Sequence, residues 1–245
     1  VRVIKLGGSL LDDAVRRAAV LRGIAKAWKA GEELVLVHGG GKHIDAMLKR
    51  LGIEKKTHAG LRVTDDATLE IVVAVLGGTV NKMLVAELAK IGVKAAGISG
   101  SDGGTLLADR HPHVDGMNLG NVGRVRSSDP SLIRAMLASR ILPVVSSVAA
   151  GARGTLLNVN ADSAAAAIAA GLRASSLMFL TDVAGLLDGN GDVVESLDAD
   201  DARELLKSDI VTGGMRPKLE AALQALASGV ASIHIGEGGT QLVAA

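Results

Sequence analysis

V-I-K-L-G-G-S-L-L, residues 3–11, runs an apolar segment into a lysine and two glycines. Read as a strand ending at Leu6, it sets Lys5 beside a bare turn that opens a helix. Such a turn exposes backbone N–H groups at the positive end of the helix dipole, and glycine lets an anion approach them closely. A phosphate is the first ligand to consider. A second apolar run, L-V-L-V at 34–37, leads into H-G-G-G at 38–41, so the same device occurs twice. One glycine turn is explained by backbone freedom alone, whereas two that each leave a strand shift the reading toward anions.

The rest of the chain follows this strand-then-helix rhythm. Further strand candidates lie at 95–98, 141–145, 177–180 and 232–235, mostly unalternated with polar residues apart from S-I-H-I at 232–235, and helical patterns separate them. Ile44, Met47, Leu48 and Leu51 repeat at i, i+3, i+4, i+7 and mark one helix face. Unalternated strands between helices predict a mainly parallel sheet covered on both faces, a three-layer α/β/α sandwich. D-G-N-G-D at 188–192 invites a calcium-loop reading, but that loop would place Val193 at its sixth position and Ala199 at its twelfth, where Gly and Glu are required. A hairpin turn fits better. With no repeat, low-complexity tract or long linker, any two lobes share one sheet.

Composition limits the partners. Of 245 residues, 48% are apolar, enough for a large core. One Phe, one Trp and no Tyr leave little with which to stack bases, so nucleic acid is not expected. Lys+Arg balance Asp+Glu at 27 against 26, which leaves no whole-molecule field for a polyanion or an anionic membrane. The absence of cysteine suits a reducing compartment, and no uninterrupted apolar run approaches the roughly 18 residues of a membrane span. A cytoplasmic location is expected.

Known nucleotide motifs fail on these turns. A P-loop ending at Lys42 would need Gly at 36 and Ser or Thr at 43, where the chain has Leu36 and His43. The third glycine of a dinucleotide fingerprint is missing after both turns. Other residues gain meaning in combination. Asp162, in N-V-N-A-D before an alanine-rich helix, is by itself an ordinary cap, but beside lysines it can orient them toward a polyphosphate. Lys218 follows a further glycine pair in G-G-M-R-P-K at 213–218. Arg62, in G-L-R-V-T-D, has the fork that grips a carboxylate, and Asp65 is placed to cap the helix that follows. His111-Pro112-His113 lacks the spacing of a zinc motif.

Together K-L-G-G-S (5–9), H-G-G-G (38–41), G-L-R-V-T-D (60–65), V-N-K (80–82), G-I-S-G-S-D-G-G (97–104), N-V-N-A-D (158–162), T-D-V-A-G-L-L-D (181–188) and G-G-M-R-P-K (213–218) resemble the amino acid kinase family, most closely its members that phosphorylate N-acetyl-L-glutamate. The resemblance implies an amino acid kinase-like fold. An acceptor lobe would span about 1–157 and an ATP lobe 158–245. It also implies ATP-dependent formation of an acyl phosphate in arginine biosynthesis, with Mg²⁺ carried by the nucleotide. Lys5 and Lys218 match the catalytic lysines and Asp162 their organiser. Gly40, Gly41, Arg62, Asn158 and, less closely, Asn160 match acceptor positions. Gly7, Gly8, Ser9, Asp182, Val183, Gly185, Leu186, Leu187, Val211 and Thr212 match the ATP side. Arg124 departs from the acidic or neutral residue that relatives often carry.

Residues 71–76, I-V-V-A-V-L, are apolar all round a predicted helix, so burial from more than one side is needed, and the resemblance implies a homodimer packed across that helix. Arginine-inhibited relatives carry a helix ahead of the first strand; Val1 already starts that strand, so arginine insensitivity is expected. A sibling kinase acting on carrier-linked aminoadipate or glutamate, an isopentenyl phosphate kinase, and a non-catalytic binder on the same fold stay open.

Overall fold

The first strand, β1 (Arg2–Leu6), is buried at four of its five positions and the next, β2 (Leu34–His38), at all five. A strand buried on both faces needs cover on both, and the chain supplies it with helices before and after. The computed structural model describes residues 1–181, 183–188, 191–208, 211 and 213–243. After β1 come α1 (Gly8–Asp12) and α2 (Ala14–Lys29), and after β2 comes α3 (Gly41–Arg50). A short hairpin, β3 (Thr57–His58) and β4 (Leu61–Arg62), precedes α4 (Asp66–Val73), which runs through a π-helical segment, Ala74–Val80, into α5 (Asn81–Lys90). Then follow β5 (Ala95–Ser99), β6 (Leu107–Arg110), β7 (Val122–Ser127), α6 (Ser131–Ala138), β8 (Leu142–Ser146), β9 (Val148–Ala150) and β10 (Leu156–Val159). The chain continues with α7 (Ala161–Leu172), β11 (Ser176–Leu180), β12 (Ser196–Asp198), α8 (Ala199–Lys207), α9 (Met215–Ala227), β13 (Ser232–Ile235) and β14 (Thr240–Val243).

Eight strands form one sheet in the order β12-β14-β13-β11-β1-β2-β8-β5, parallel throughout except for β13 against β14. All six strands expected from the apolar runs are in it, and the sandwich is α/β/α as expected. β12 and β14 carried no run long enough to mark them. Four short strands, β10-β7-β6-β9, close into a small barrel beside the sheet. L-A-D-R and V-G-R-V-R-S mix charge with apolar residues, so their pairing has no signature in the sequence. The hairpin turn is present: Leu187 bridges Val193, and Asp188 N donates to Asp192 O at 2.9 Å, while Gly189 and Asn190 lie outside the described residues.

Register places the site. Lys5 is level with Phe179 on one side and Val37 on the other, and Leu6 is level with Leu180 and His38. Both glycine turns therefore leave the sheet side by side at its carboxyl edge, where open α/β sheets bind ligands. Behind them α7 packs on β1 and against α9. Its Ala164, Ala165, Ala166 and Ala169 are all 1% exposed or less, and such small side chains let the helix lie close to the strands.

Asp66–Lys90 is one helix of 25 residues with a mean hydropathy of 1.7 over its most apolar window, long and apolar enough to cross a membrane although no uninterrupted run in the sequence is. The expected burial of residues 71–76 from more than one side is present within this chain. Ile71, Val72, Val75 and Leu76 are each 8% exposed or less within this chain, Val73 is half-buried and Ala74 is exposed. The chain covers this stretch largely by itself.

Candidate active site

Lys5 is carried by β1, Asp162 by the first turn of α7 and Lys218 by the first turn of α9. Their side chains meet. Lys5 Nζ lies 2.8 Å from Asp162 Oδ1, and Lys218 Nζ lies 3.2 Å from both oxygens of the same carboxylate. All three residues are buried. Burial opposes the charge on Asp162, but Lys5 and then Lys218 outweigh it and hold the carboxyl below its ordinary range. Lys218 also stands 5.3 Å above the ring of Phe179. The cap of α7 is Asn160, whose Oδ1 accepts from Asp162 N at 2.8 Å and Ser163 N at 3.1 Å. With Asn160 as cap, Asp162 is free to face the lysines.

Lys5 and Asp162 line a cavity of about 260 Å³, together with Gly8, Gly40, Gly41 and Arg62. Asn158 and Asn160 also border it. Gly8 and Gly41 have open space where a Cβ would stand, so their turns can be approached closely. At Gly40 a Cβ would come within 2.9 Å of Leu76 Cδ2 and 3.2 Å of Val80 Cγ2, which explains the glycine by the π-helical wall behind it. Gly7 is held against the sheet, with its N–H donating to Leu180 O at 2.8 Å.

Arg62 enters from the β3–β4 hairpin with its side chain 12% exposed. Its Nη2 donates to Asp45 Oδ1 and to Gly41 O, the latter at 3.3 Å. Its Nη1 is buried and has no hydrogen-bond acceptor among the described residues. A buried guanidinium N–H without an acceptor is costly, and an anionic ligand in the cavity would satisfy it. Asp45, the residue that holds Arg62, is not marked by sequence reasoning. It also accepts from Lys55 at 2.8 Å; burial opposes its charge, but Lys55 and Arg62 hold its carboxyl below the ordinary range. Asn158 Nδ2 donates to Thr64 Oγ1 at 3.2 Å, which ties β10 to the loop after Arg62. Asp65 caps α4 as expected, its Oδ1 accepting from Thr68 N at 2.8 Å.

The residues matched to the ATP side separate into groups. Gly8 lines the cavity, with Gly7 and Ser9 beside it in the same turn. Val183, Gly185, Leu186 and Leu187 form a loop beyond β11, tied to β14 where Leu186 N donates to Thr240 Oγ1 at 2.7 Å. Val183 and Leu187 are exposed, whereas Leu186 and Val211 are core side chains. Asp182 and Thr212 lie outside the described residues. Arg124 lines a wider cleft of about 1340 Å³ between the β6–β7 hairpin and the start of α9, which adjoins the cavity at Asn160.

A fixed pair of lysines on a shared carboxylate, glycine turns at a sheet edge and an arginine across the cavity suit phosphoryl chemistry. The family model for the amino acid kinase family matches residues 1–237. The acetylglutamate kinase of Methanopyrus kandleri is 44% identical over 235 residues, 94% of this chain and 92% of its own. That of Solibacter usitatus is 43% identical over 236 residues, 96% of this chain and 90% of its own. Among solved structures, smu.665 from Streptococcus mutans superposes with a TM-score of 0.88 at 31% identity, covering 99% of this chain and 98% of that one. Carbamate kinase from Giardia lamblia bound to AMP-PNP shares the fold at a TM-score of 0.72 and 14% identity, covering 100% of this chain and 98% of that one. With nearly the whole length matched in sequence and in backbone, the chain belongs to the amino acid kinase family.

Proposed function

We infer that the chain transfers the γ-phosphoryl group of ATP to the γ-carboxylate of N-acetyl-L-glutamate, giving N-acetyl-L-glutamyl 5-phosphate for arginine biosynthesis. The observation that carries this reading is the cavity itself: Lys5 and Asp162 border it together with an arginine whose Nη1 is buried without an acceptor. The names of the curated relatives support the choice of acceptor.

A side-chain carboxylate with an ordinary pKa of about 4.3 is already ionised at neutral pH, so the acceptor needs no general base. What remains is to bring two anions into line and offset their repulsion. Lys5 and Lys218 supply positive charge to the oxygens on which charge builds during transfer, and Asp162 keeps both ammonium groups in place. The amides of Gly8 and Gly41 face the phosphoryl oxygens, Arg62 Nη1 binds a carboxylate of the acceptor, and Asn158 borders it. Both oxygens of Asp162 are taken by lysines, which fits a magnesium ion held by the nucleotide's own phosphates. The nucleotide would lie across the Gly7-Gly8-Ser9 turn toward Gly185 and the exposed Val183 and Leu187.

Two lobes that share one sheet fit this division of labour. The proposed boundary between residues 157 and 158 falls within β10, Leu156–Val159. A homodimer across the exposed side of the Asp66–Lys90 helix rests on the family resemblance. That helix is read as a wall of the site, because Leu76 borders the cavity and Asn81 reaches the buried end of β2; a cytoplasmic location is proposed from the cysteine-free sequence, which suits a reducing compartment.

The test is an acceptor panel with ATP and hydroxylamine, which traps acyl phosphates. N-acetyl-L-glutamate is expected to give the hydroxamate. Product from a carrier-linked glutamate or aminoadipate alone would move the chain to a sibling activity, and no product from any acceptor would leave a binding protein.

A further inference from the structure

Behind the second glycine turn lies a polar group that the chemistry above does not use. His38, the last residue of β2, is completely buried. Its Nδ1 lies 2.8 Å from the carbonyl oxygen of Gly39, and its Nε2 lies 3.1 Å from Asn81 Nδ2. Asn81 is also completely buried and opens α5. Its Nδ2 stands 2.9 Å from Val144 O and 3.3 Å from Ile98 O, while its Oδ1 accepts from Lys82 Nζ at 3.0 Å.

The hydrogen-bonding inventory settles which atom carries the proton. Val144 O and Ile98 O only accept and the Lys82 ammonium only donates, so the amide of Asn81 has one workable orientation. That NH₂ has two hydrogens for three acceptors, Val144 O, Ile98 O and His38 Nε2, and cannot itself accept, so the Nε2 that faces it carries no proton; Gly39 O likewise only accepts, which makes Nδ1 the donor. A neutral imidazole with Nε2 bare carries its proton on Nδ1, and that proton points at Gly39 O. Burial, with smaller contributions from Lys82 and His43, lowers the pKa of His38 to about 4 against the opposing bond to Gly39, so the ring is neutral at physiological pH. The arrangement demands a glycine on β5 as well: a Cβ at Gly97 would stand 1.6 Å from Asn81 Oδ1. The V-N-K and G-I-S-G stretches of the sequence thus meet at Asn81, which in turn reaches His38.

We propose that His38 is a positioning residue for the glycine turn, held in its Nδ1–H form by Asn81 so that it draws the Gly39 carbonyl back into the protein. In a trans peptide the N–H lies opposite the C=O. Fixing the Gly39 carbonyl on the buried side therefore turns the Gly40 N–H away from the ring, toward the cavity that Gly39, Gly40 and Gly41 line. The pair His38 and Asn81 sets the direction of an anion-binding amide without touching the ligand. The proposal deepens the kinase reading and rests on it for the identity of that ligand.

The test has a part that needs no substrate. Long-range ¹⁵N–¹H correlation spectra of the ¹⁵N-histidine-labelled full chain should show His38 as the Nδ1–H tautomer, unchanged from pH 8 to 5.5. An Nε2–H tautomer, or a titration near pH 6.5, would overturn the proposal whether or not the chain is a kinase. The second part compares two variants that separate the two ring nitrogens. In H38N an amide nitrogen can occupy the place of Nδ1 and still donate to Gly39 O, whereas H38Q carries its amide at the reach of Nε2, facing Asn81. Assayed with ATP and N-acetyl-L-glutamate below the melting temperature of both, H38N should keep a kcat about tenfold above that of H38Q, the size expected for one positioned hydrogen bond. Equal turnover, or the reverse order, would remove His38 from this role. A wild-type chain without acyl phosphate formation would refute the kinase reading and leave the tautomer measurement standing as the judge of this one.

Discussion

Lys5 Nζ sits 2.8 Å from Asp162 Oδ1, joining the central strand to the helix that packs across it. The same carboxylate receives Lys218 at 3.2 Å, so the end of one side chain sets the position of two cations. If both serve the transferring group, Lys5→Ala and Lys218→Ala will each lower kcat on the order of 10²-fold or more and shift the acceptor KM far less. Steady-state kinetics with hydroxylamine trapping measure this. Near-normal turnover in either variant would remove that lysine from the chemistry.

Asp162→Asn takes away the carboxylate that both lysines share. Breaking one side of a buried ionic cluster costs about 3 kcal/mol or more, so the urea midpoint should fall along with turnover. Because the folded-state carboxyl is held below its unfolded value, its contribution is fully present above about pH 4 and is lost as pH falls further. The gap between wild type and Asp162→Asn should therefore narrow in acid. A gap that stays constant down to pH 2.5 would mean that the ion pairs contribute nothing.

Arg62→Lys keeps the charge but loses the fork. Since Nη2 is engaged by Asp45 and Gly41 while Nη1 is left for a ligand, a single ammonium cannot reproduce both arms. The acceptor KM should rise roughly tenfold or more, with kcat less affected. An unchanged KM would place Arg62 outside the acceptor site.

His38 titrates at about 4 when folded and near 6.5 when unfolded. The unfolded chain binds this proton first as pH falls, so stability declines from about pH 6.5 downward and levels off below the folded pKa. Between pH 7 and 5 this one group should cost about 2 kcal/mol, seen as a falling urea midpoint. In His38→Asn the decline over that interval should shrink by the same amount. Parallel curves for the two proteins would show that His38 is open to protonation in the native state.

Much of this protein is decided locally. Short apolar stretches set among helical repeats, with the Ile233 and Ile235 pair near the end, are enough to give the six strands from 1–6 to 232–235 and the sandwich, because a strand buried on both faces, as β2 and β8 are, has no polar alternation to keep. Gly7-Gly8-Ser9 and Gly39-Gly40-Gly41 are legible for the same reason: glycine after a strand frees the backbone where a helix begins. Asp45, His38 and Asn81 are not, although each lies within or next to a stretch that drew attention. Their meaning depends on partners 17, 43 and 63 positions away, Arg62 for Asp45, Asn81 for His38 and Val144 for Asn81, and no periodicity encodes such a distance. The small barrel was hidden likewise, since its pairing follows from closure against β10 and not from any pattern in L-A-D-R. Even the apolar stretch at 71–76 asks for cover on all sides while leaving open whose; the fold answers by setting Leu76 and Val80 against Gly40, where space for a Cβ runs out. Residue type and spacing decide which segments are strands and helices, because those depend on neighbours in the chain. Which charges share a carboxylate, and which ring nitrogen keeps its proton, depend on burial and on groups brought from elsewhere, and only the tertiary structure supplies those.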